Sequence, residues 1–295
     1  MGELSFSVVN SFTNNAFEGN PAAVILNANT LNDEMMLRVA RQFNLVETVF
    51  VLNAYTNADF DFELRYFTPT EEVSLAIHPT VAALVALSTS GQLDTCKTEC
   101  TLKTKSGNRH VNINGVDGTF FIESVSPIFH PMISNRFTVA HVFGLEEKDI
   151  LSDYPILPVD TGLGHLIVPV VSLDVLMKAK RNIISLQQLC SKIGVKEAQL
   201  FTFNVYNNKY DVHTRNICPR EGIEDPGCGV GNAALGAYLF HILGNSKNEL
   251  VIQAEQGVIN SMPCIIETQV YQGKNGIRVK VGGTGKTMMT GTILI

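Results

Sequence analysis

Three places in this 295-residue sequence combine reactive side chains with a backbone setting that sharpens their chemistry. The first is Glu47, which opens the apolar run Thr48-Val49-Phe50-Val51-Leu52. Apolar neighbours desolvate a carboxylate, raise its pKa and suit it to general-base work. The competing reading is a half-exposed glutamate at a strand end. The second place is His78, just ahead of the helix-like PTVAALVALS stretch at 79–88. An imidazole at a helix N-terminus is held neutral and can donate or relay a proton; it can equally be a satisfied loop histidine. The third is Asp225-Pro226-Gly227-Cys228-Gly229-Val230-Gly231-Asn232, which leads into a second apolar helix. Its glycines let the backbone approach a ligand closely, and the free N–H groups of a helix start hold an anion. Asp225 reads first as a turn or cap residue. Cys228 lies where a helix N-terminus favours thiolate, so it is a candidate nucleophile or base, or else a small buried residue. Two such helix starts suit a small substrate that carries a carboxylate.

Other chemistries find no pattern. The histidines show neither HxH nor HExxH spacing, and Cys96 and Cys100 have no partner pair, so no metal site is expected. No GxGxxG follows a strand, so no nucleotide cofactor is expected. The GGTGKT run at 282–287 fails the phosphate-loop pattern because Lys280 stands where the first Gly belongs. It reads as a tight turn before a terminal strand, TGTILI.

The elements that must position these residues come in two sets. Shifted on itself by 150 positions, the chain lays Asp61 on Asp211, Arg65 on Arg215, Pro69 on Pro219, Glu47 on Glu197 and His78 on Cys228. The run FELRYFTP at 62–69 falls on VHTRNICP at 212–219. Each half opens with an amphipathic helix, marked by Met36, Val39, Ala40 and Phe43 in one and by Leu186, Leu189, Cys190 and Ile193 in the other. Each then has a helix apolar nearly all round, at 80–87 and 233–243, which must be buried on every side. Strand-like runs surround both: 5–12, 47–52, 118–125, 165–171, 199–206 and 276–283. The expected architecture is two similar α+β units, each a curved, mainly antiparallel sheet around one central helix, with a hinge near 127–131. Because position 228 is the only cysteine of the His78/Cys228 pair, a two-thiol racemase is not expected.

Composition narrows the class. A 45% hydrophobic chain can bury large cores. A net charge of −6 argues against nucleic acid or an anionic membrane as partner. No apolar run approaches the roughly 18–20 residues of a membrane helix. The N-terminal stretch lacks the basic start and long apolar run of a signal peptide. Six cysteines in a chain of this length are no disulfide framework, which points to a reduced, cytoplasmic protein.

Five motifs in order, FEGNPAAVIL (17–26), FNLVETVFVL (43–52), RYFTPTEEVSLAIHPTVAALVAL (65–87), GIEDPGCGVGNAALGAYL (222–239) and VGGTGKTMMTGTILI (281–295), resemble the PhzF family of phenazine-biosynthesis-like proteins. The resemblance runs from end to end. It implies the diaminopimelate-epimerase-like fold, two pseudo-symmetric β-barrel domains each wrapped round a central α-helix. The domains would be 1–128, rejoined by 286–295, and 129–285. It implies a homodimer and a cofactor-independent isomerase that moves a proton on a small cyclic or unsaturated carboxylic acid, as in the isomerisation of trans-2,3-dihydro-3-hydroxyanthranilate. In that reading Glu47 shuttles the proton, while His78 and Asp225 orient the substrate and assist. The substrate-binding positions are Asn20, Val46, Ile77, Cys228, Gly229, Val230 and Gly231. Four of them depart from the family's pattern: Ile77 replaces a Gly, Val46 and Val230 replace Ser, and Cys228 replaces Thr. Each lost hydroxyl removes a substrate hydrogen bond worth about 0.5–1.5 kcal/mol. The alternatives are a non-catalytic small-molecule binding or interaction protein on the same fold, or an amino-acid epimerase that uses Cys228.

Overall fold

A computed structural model describes residues 3–55, 58–219, 222–244 and 248–295. It divides into two compact units, Met1–Glu123 with Gly282–Ile295, and Ser124–Val281. The divide falls at 123 and 282, where the sequence reading placed it at 128 and 286. The segment 127–131, expected as a hinge, instead carries a short strand inside the second unit.

The first unit contains strands β1 (Glu3–Ser11), β2 (Asn20–Ile25), β3 (Thr48–Asn53), β4 (Phe62–Phe67), β5 (Glu72–Val73), β6 (Glu99–Thr104), β7 (Gly107–Asn114) and β8 (Thr119–Glu123), with helices α1 (Asp33–Phe43) and α2 (Ile77–Thr89). The second unit contains β9 (Ile128–Phe129), α3 (Arg136–Val142), β10 (Leu157–Asp160), β11 (Gly164–Pro169), α4 (Leu173–Lys178), α5 (Ile183–Ile193), β12 (Glu197–Thr202), β13 (Val212–Cys218), β14 (Ile223–Asp225), α6 (Gly229–Leu243), β15 (Glu249–Gln256) and β16 (Cys264–Gly273). Strand β17 (Gly276–Gly283) leads back into the first unit, where β18 (Gly285–Leu294) pairs antiparallel with β1. Only Thr284 separates those two strands, so the turn expected at GGTGKT shrinks to one residue.

The repeat is legible in strand order. In the first unit β2 and β3 are parallel, joined across α1, and β3–β4 and β4–β5 are antiparallel. After α2 the chain returns as β6, parallel to β4, then turns into β7. The second unit repeats each step: β11 parallel to β12 across α4 and α5, β12–β13 and β13–β14 antiparallel, then β15 parallel to β13 and antiparallel to β16. Helix α1 shifted by 150 coincides with α5.

The central helices follow from their sequences. Helix α2 packs against β1, β2, β3, β8 and β18, and α6 against β10, β11, β12, β15 and β16. A helix ringed by strands has no solvent face to keep polar, hence Val81, Ala82, Ala83, Leu84 and Leu87 in one, and Ala233, Ala234, Leu235 and Ala237 in the other, all buried. Helix α1 sits outside that ring and buries one stripe, Met36, Val39 and Ala40, against Phe50 and Phe67. Asn32 caps its start, and Asn44 ends it in the left-handed conformation. Among the described residues no helix is long and apolar enough to cross a membrane.

Candidate active site

In the first unit the fold brings Glu47 and His78 together. Glu47 immediately precedes β3, and His78 is the second residue of α2. His78 Nε2 lies 3.3 Å from Glu47 Oε2, an ion-pair distance without the alignment of a hydrogen bond. The first turn of α2 is pinned from three directions. Thr80 Oγ1 donates to the Ala76 carbonyl at 2.7 Å. The Tyr66 hydroxyl, fully buried on β4, shares a 2.7 Å hydrogen bond with Thr80 Oγ1. Ser11 Oγ on β1 donates to the His78 carbonyl at 2.6 Å. The backbone of His78 is held by the last of these bonds. Burial pushes its imidazole down to about 3, so it is neutral at physiological pH.

Asn20 is fully buried at the start of β2. The turn before it depends on Gly19, whose φ is +86° and whose place leaves no room for a side chain. A Cβ there would lie 2.5 Å from Thr13 Cγ2 and 2.6 Å from the Ser11 carbonyl. Ile77 is buried as the first residue of α2, and Val46, half-buried, precedes Glu47.

In the second unit Asp225 ends β14, opposite Asn216 on β13, and its carboxylate accepts the Gly227 N–H at 2.9 Å. Its own carbonyl accepts from Gln256 Nε2 at 2.8 Å. Gln256 Oε1 in turn accepts from Asn232 Nδ2 and Thr214 Oγ1 at 2.8 and 3.0 Å. This buried amide network fixes where β14 ends and α6 begins. Helix α6 starts at Gly229, with Cys228 as its cap: Cys228 Sγ accepts the Gly231 N–H at 3.2 Å. Of the three first-turn residues proposed to bind substrate, Gly231 therefore has its amide on the thiol. The Val230 carbonyl accepts from Thr161 Oγ1 at 3.3 Å. Gly231 also has no room for a side chain, since a Cβ would lie 2.4 Å from Gln199 Oε1.

Two residues that the sequence reading did not single out complete this second group. His165 on β11 and Glu197 at the head of β12 lie beside Cys228, with His165 Nε2 3.1 Å from Glu197 Oε2 and 3.7 Å from Cys228 Sγ. His165 is fully buried. Burial opposes its charged form, but the Glu197 carboxylate and the Leu163 carbonyl outweigh it and raise its pKa above the ordinary value. The residues stand far apart in sequence, so no local spacing betrays them. The 150-position shift did carry a signal, because it lays Glu47 on Glu197 and His78 on Cys228. Both units thus bring a glutamate beside the first strand after the amphipathic helix to the first turn of the central helix. Where no metal-ligand cluster was expected, the fold assembles a nitrogen, an oxygen and a sulfur donor within 4.8 Å of one another.

Two halves of this order, each a sheet closed around an apolar helix whose first turn meets a glutamate, define an epimerase-like fold. Comparison with known proteins agrees. A crystal structure of a PhzF-family phenazine biosynthesis protein from Bacillus anthracis superposes with a TM-score of 0.92, at 28% identity and full coverage of both chains. A probable proline racemase from Agrobacterium radiobacter shares the fold alone, with a TM-score of 0.67 at 14% identity over 99% of this chain and 93% of that one. The uncharacterized isomerase YfhB of Bacillus subtilis is 31% identical over 288 residues, 96% of each chain. Residues 9–291 match the PhzC-PhzF family, described as phenazine biosynthesis-like protein. The chain belongs to that family.

Proposed function

We propose that this isomerase-class enzyme moves a proton between carbon atoms of a small cyclic or unsaturated carboxylic acid, with Glu47 as the base that takes the proton and returns it. The observation that carries this reading is the Glu47–His78 pair on the first turn of α2. His78 is buried, neutral and fixed by its helix, so it suits hydrogen-bond donation or proton relay rather than charge neutralisation. The roles the resemblance gives to Asp225 and to the Gly229 and Val230 amides at the start of α6, orienting a substrate and holding its carboxylate, belong to the same proposal, while the Gly231 amide stays on the Cys228 thiol. General acid–base catalysis of this kind supplies about 10²–10⁴-fold, and needs no cofactor for the proton step.

The test is proton exchange in D₂O followed by NMR, with dihydrohydroxyanthranilate and a panel of small cyclic acids. Wild type is expected to isomerise or deuterate at least one compound, and Glu47→Gln to lose that turnover while still binding the compound. Exchange that survives in Glu47→Gln removes the base from the proposal. A panel in which no compound reacts, yet several bind both forms alike, supports a non-catalytic binding protein instead.

A further inference from the structure

We propose that His165, Glu197 and Cys228 form a binding site for one divalent transition-metal ion of the zinc class. The inference goes beyond the proton-transfer reading and does not depend on it. The argument begins with His165. Its Nδ1 lies 2.8 Å from the Leu163 carbonyl, an acceptor only, so Nδ1 carries the ring proton. With that proton placed, Nε2 faces Glu197 Oε2, 3.1 Å away, and whenever the ring is neutral it presents a lone pair there. A carboxylate and an imine-type nitrogen do not face each other at that distance without a positive charge between them. A proton can serve, and so can a metal ion.

The third donor favours the metal ion. Cys228 Sγ is held 3.7 Å from the same Nε2 and cannot swing away, because it caps α6 by accepting the Gly231 N–H. The three atoms lie within 4.8 Å of one another. A tetrahedral zinc ion, with Zn–N and Zn–O near 2.0–2.1 Å and Zn–S near 2.3 Å, sets N and O about 3.3 Å apart and N and S about 3.6 Å apart. The observed 3.1 and 3.7 Å are already close to those two edges, while the oxygen–sulfur edge, bounded at 4.8 Å, has to close to about 3.6 Å as the ion binds. The Leu163 carbonyl supplies the outer-shell hydrogen bond that fixes ring and tautomer in metal-bound histidines. Charge also balances: one thiolate and one carboxylate neutralise a dication, so the centre adds no net charge at the positive end of α6. Nitrogen, sulfur and oxygen together suit zinc or cobalt better than calcium or magnesium, which take oxygen ligands. Three protein ligands leave a fourth position for water or a small ligand.

Cobalt(II) is the probe, added to the full-length chain after chelator treatment and dialysis under anaerobic conditions. One equivalent is expected to give a thiolate-to-cobalt charge-transfer band with the visible bands of tetrahedral coordination. One equivalent of zinc should displace it. Cys228→Ser should lose the charge-transfer band, and Glu197→Gln, which keeps the sulfur, should weaken cobalt binding at least tenfold. Circular dichroism of both variants checks that they fold. Absence of the band in wild type overturns the proposal, in which case the cluster holds protons only. So does a band that survives Cys228→Ser, since another cysteine then binds the metal, or a Glu197→Gln variant that binds like wild type. Glu47→Gln should bind cobalt unchanged, so failure here and failure of the proton-transfer reading are separate results.

Discussion

The repeat supplies a built-in control for the energetics of ion pairs. Arg65 and Arg215 are equivalent in the two halves, and each reaches a glutamate on the following short strand, Glu72 or Glu224. Their surroundings differ. The Arg65 and Glu72 side chains retain 21% and 18% exposure, whereas Arg215 and Glu224 retain 3% and 4%. Arg215 grips both oxygens of Glu224, at 2.7 and 2.8 Å, and donates to the carbonyls of Leu176 and Ala179 at 2.6 and 2.9 Å. Glu224→Gln leaves a guanidinium buried with only neutral acceptors, a loss of about 3–5 kcal/mol. Glu72→Gln leaves Arg65 with water and with Asp33 at 2.7 Å, a loss of about 1 kcal/mol or less. The two substitutions are chemically identical, so their difference, about 2 kcal/mol or more, measures burial together with the second carboxylate, Asp33, that only Arg65 keeps. Urea unfolding followed by far-ultraviolet circular dichroism reads it, the chain having no tryptophan. Equal losses within about 0.5 kcal/mol would refute the argument that burial sets the worth of these pairs. Because Glu224 adjoins Asp225, its substitution should also loosen the turn into α6.

Other expectations follow from the same geometry. His78 is pushed down to about 3 in the folded protein, while its unfolded value is ordinary. The unfolded state therefore binds the proton first, and stability present above about pH 6.5 falls as pH drops toward the folded value, at up to ~1.4 kcal/mol per pH unit. Comparing urea midpoints of wild type and His78→Gln between pH 7 and pH 5 isolates that slope, and parallel curves would count against it. Gly19→Ala meets both a positive φ and a backbone carbonyl, so it should cost about 2 kcal/mol or more in urea unfolding; a neutral result would mean that the 12–19 turn has room to yield. Tyr66→Phe removes one partner of Thr80, which keeps its bond to the Ala76 carbonyl, so the loss should be only about 1 kcal/mol by thermal unfolding. Leu84→Ala opens a cavity in the fully buried middle of α2 and should cost about 2–5 kcal/mol.

Much of the fold was legible because burial leaves a periodic trace. The one-sided stripes of α1 and α5 and the all-apolar α2 and α6 identified themselves, and the equivalent positions of the repeat located both central helices. Short elements were not legible. Helices α3 and α4 are too brief to build a pattern, and β9 is two residues whose place is fixed only by pairing with Val159 and Asp160 on β10. The run QLFTFNVY reads as strand to 206 but leaves the sheet after Thr202, because the Tyr206 and Asn207 amides turn to the Glu255 carboxylate at 2.9 and 2.8 Å. At the site, Glu47 and His78 were individually readable, while their contact is a tertiary fact. His165 was invisible for a different reason: it sits within an apolar strand, and only the crossing of β11, β12 and the α6 start gives it chemical company.

Pairing of the last strand with the first has a consequence for how the chain is made. Glu3 faces Leu294 across the β1–β18 ladder, so the first of the two units to be synthesised lacks a strand until the whole second unit has followed it. The second unit is one continuous stretch and has all its own contacts available once residue 281 is out. Order of synthesis and order of closure are therefore opposite. During that interval the edge of β1 that β18 will occupy stands open, while its other edge is already taken by β2. A strand edge exposed for the length of a whole domain's translation is where a chaperone has most to protect, and where loss of β18 would do disproportionate harm.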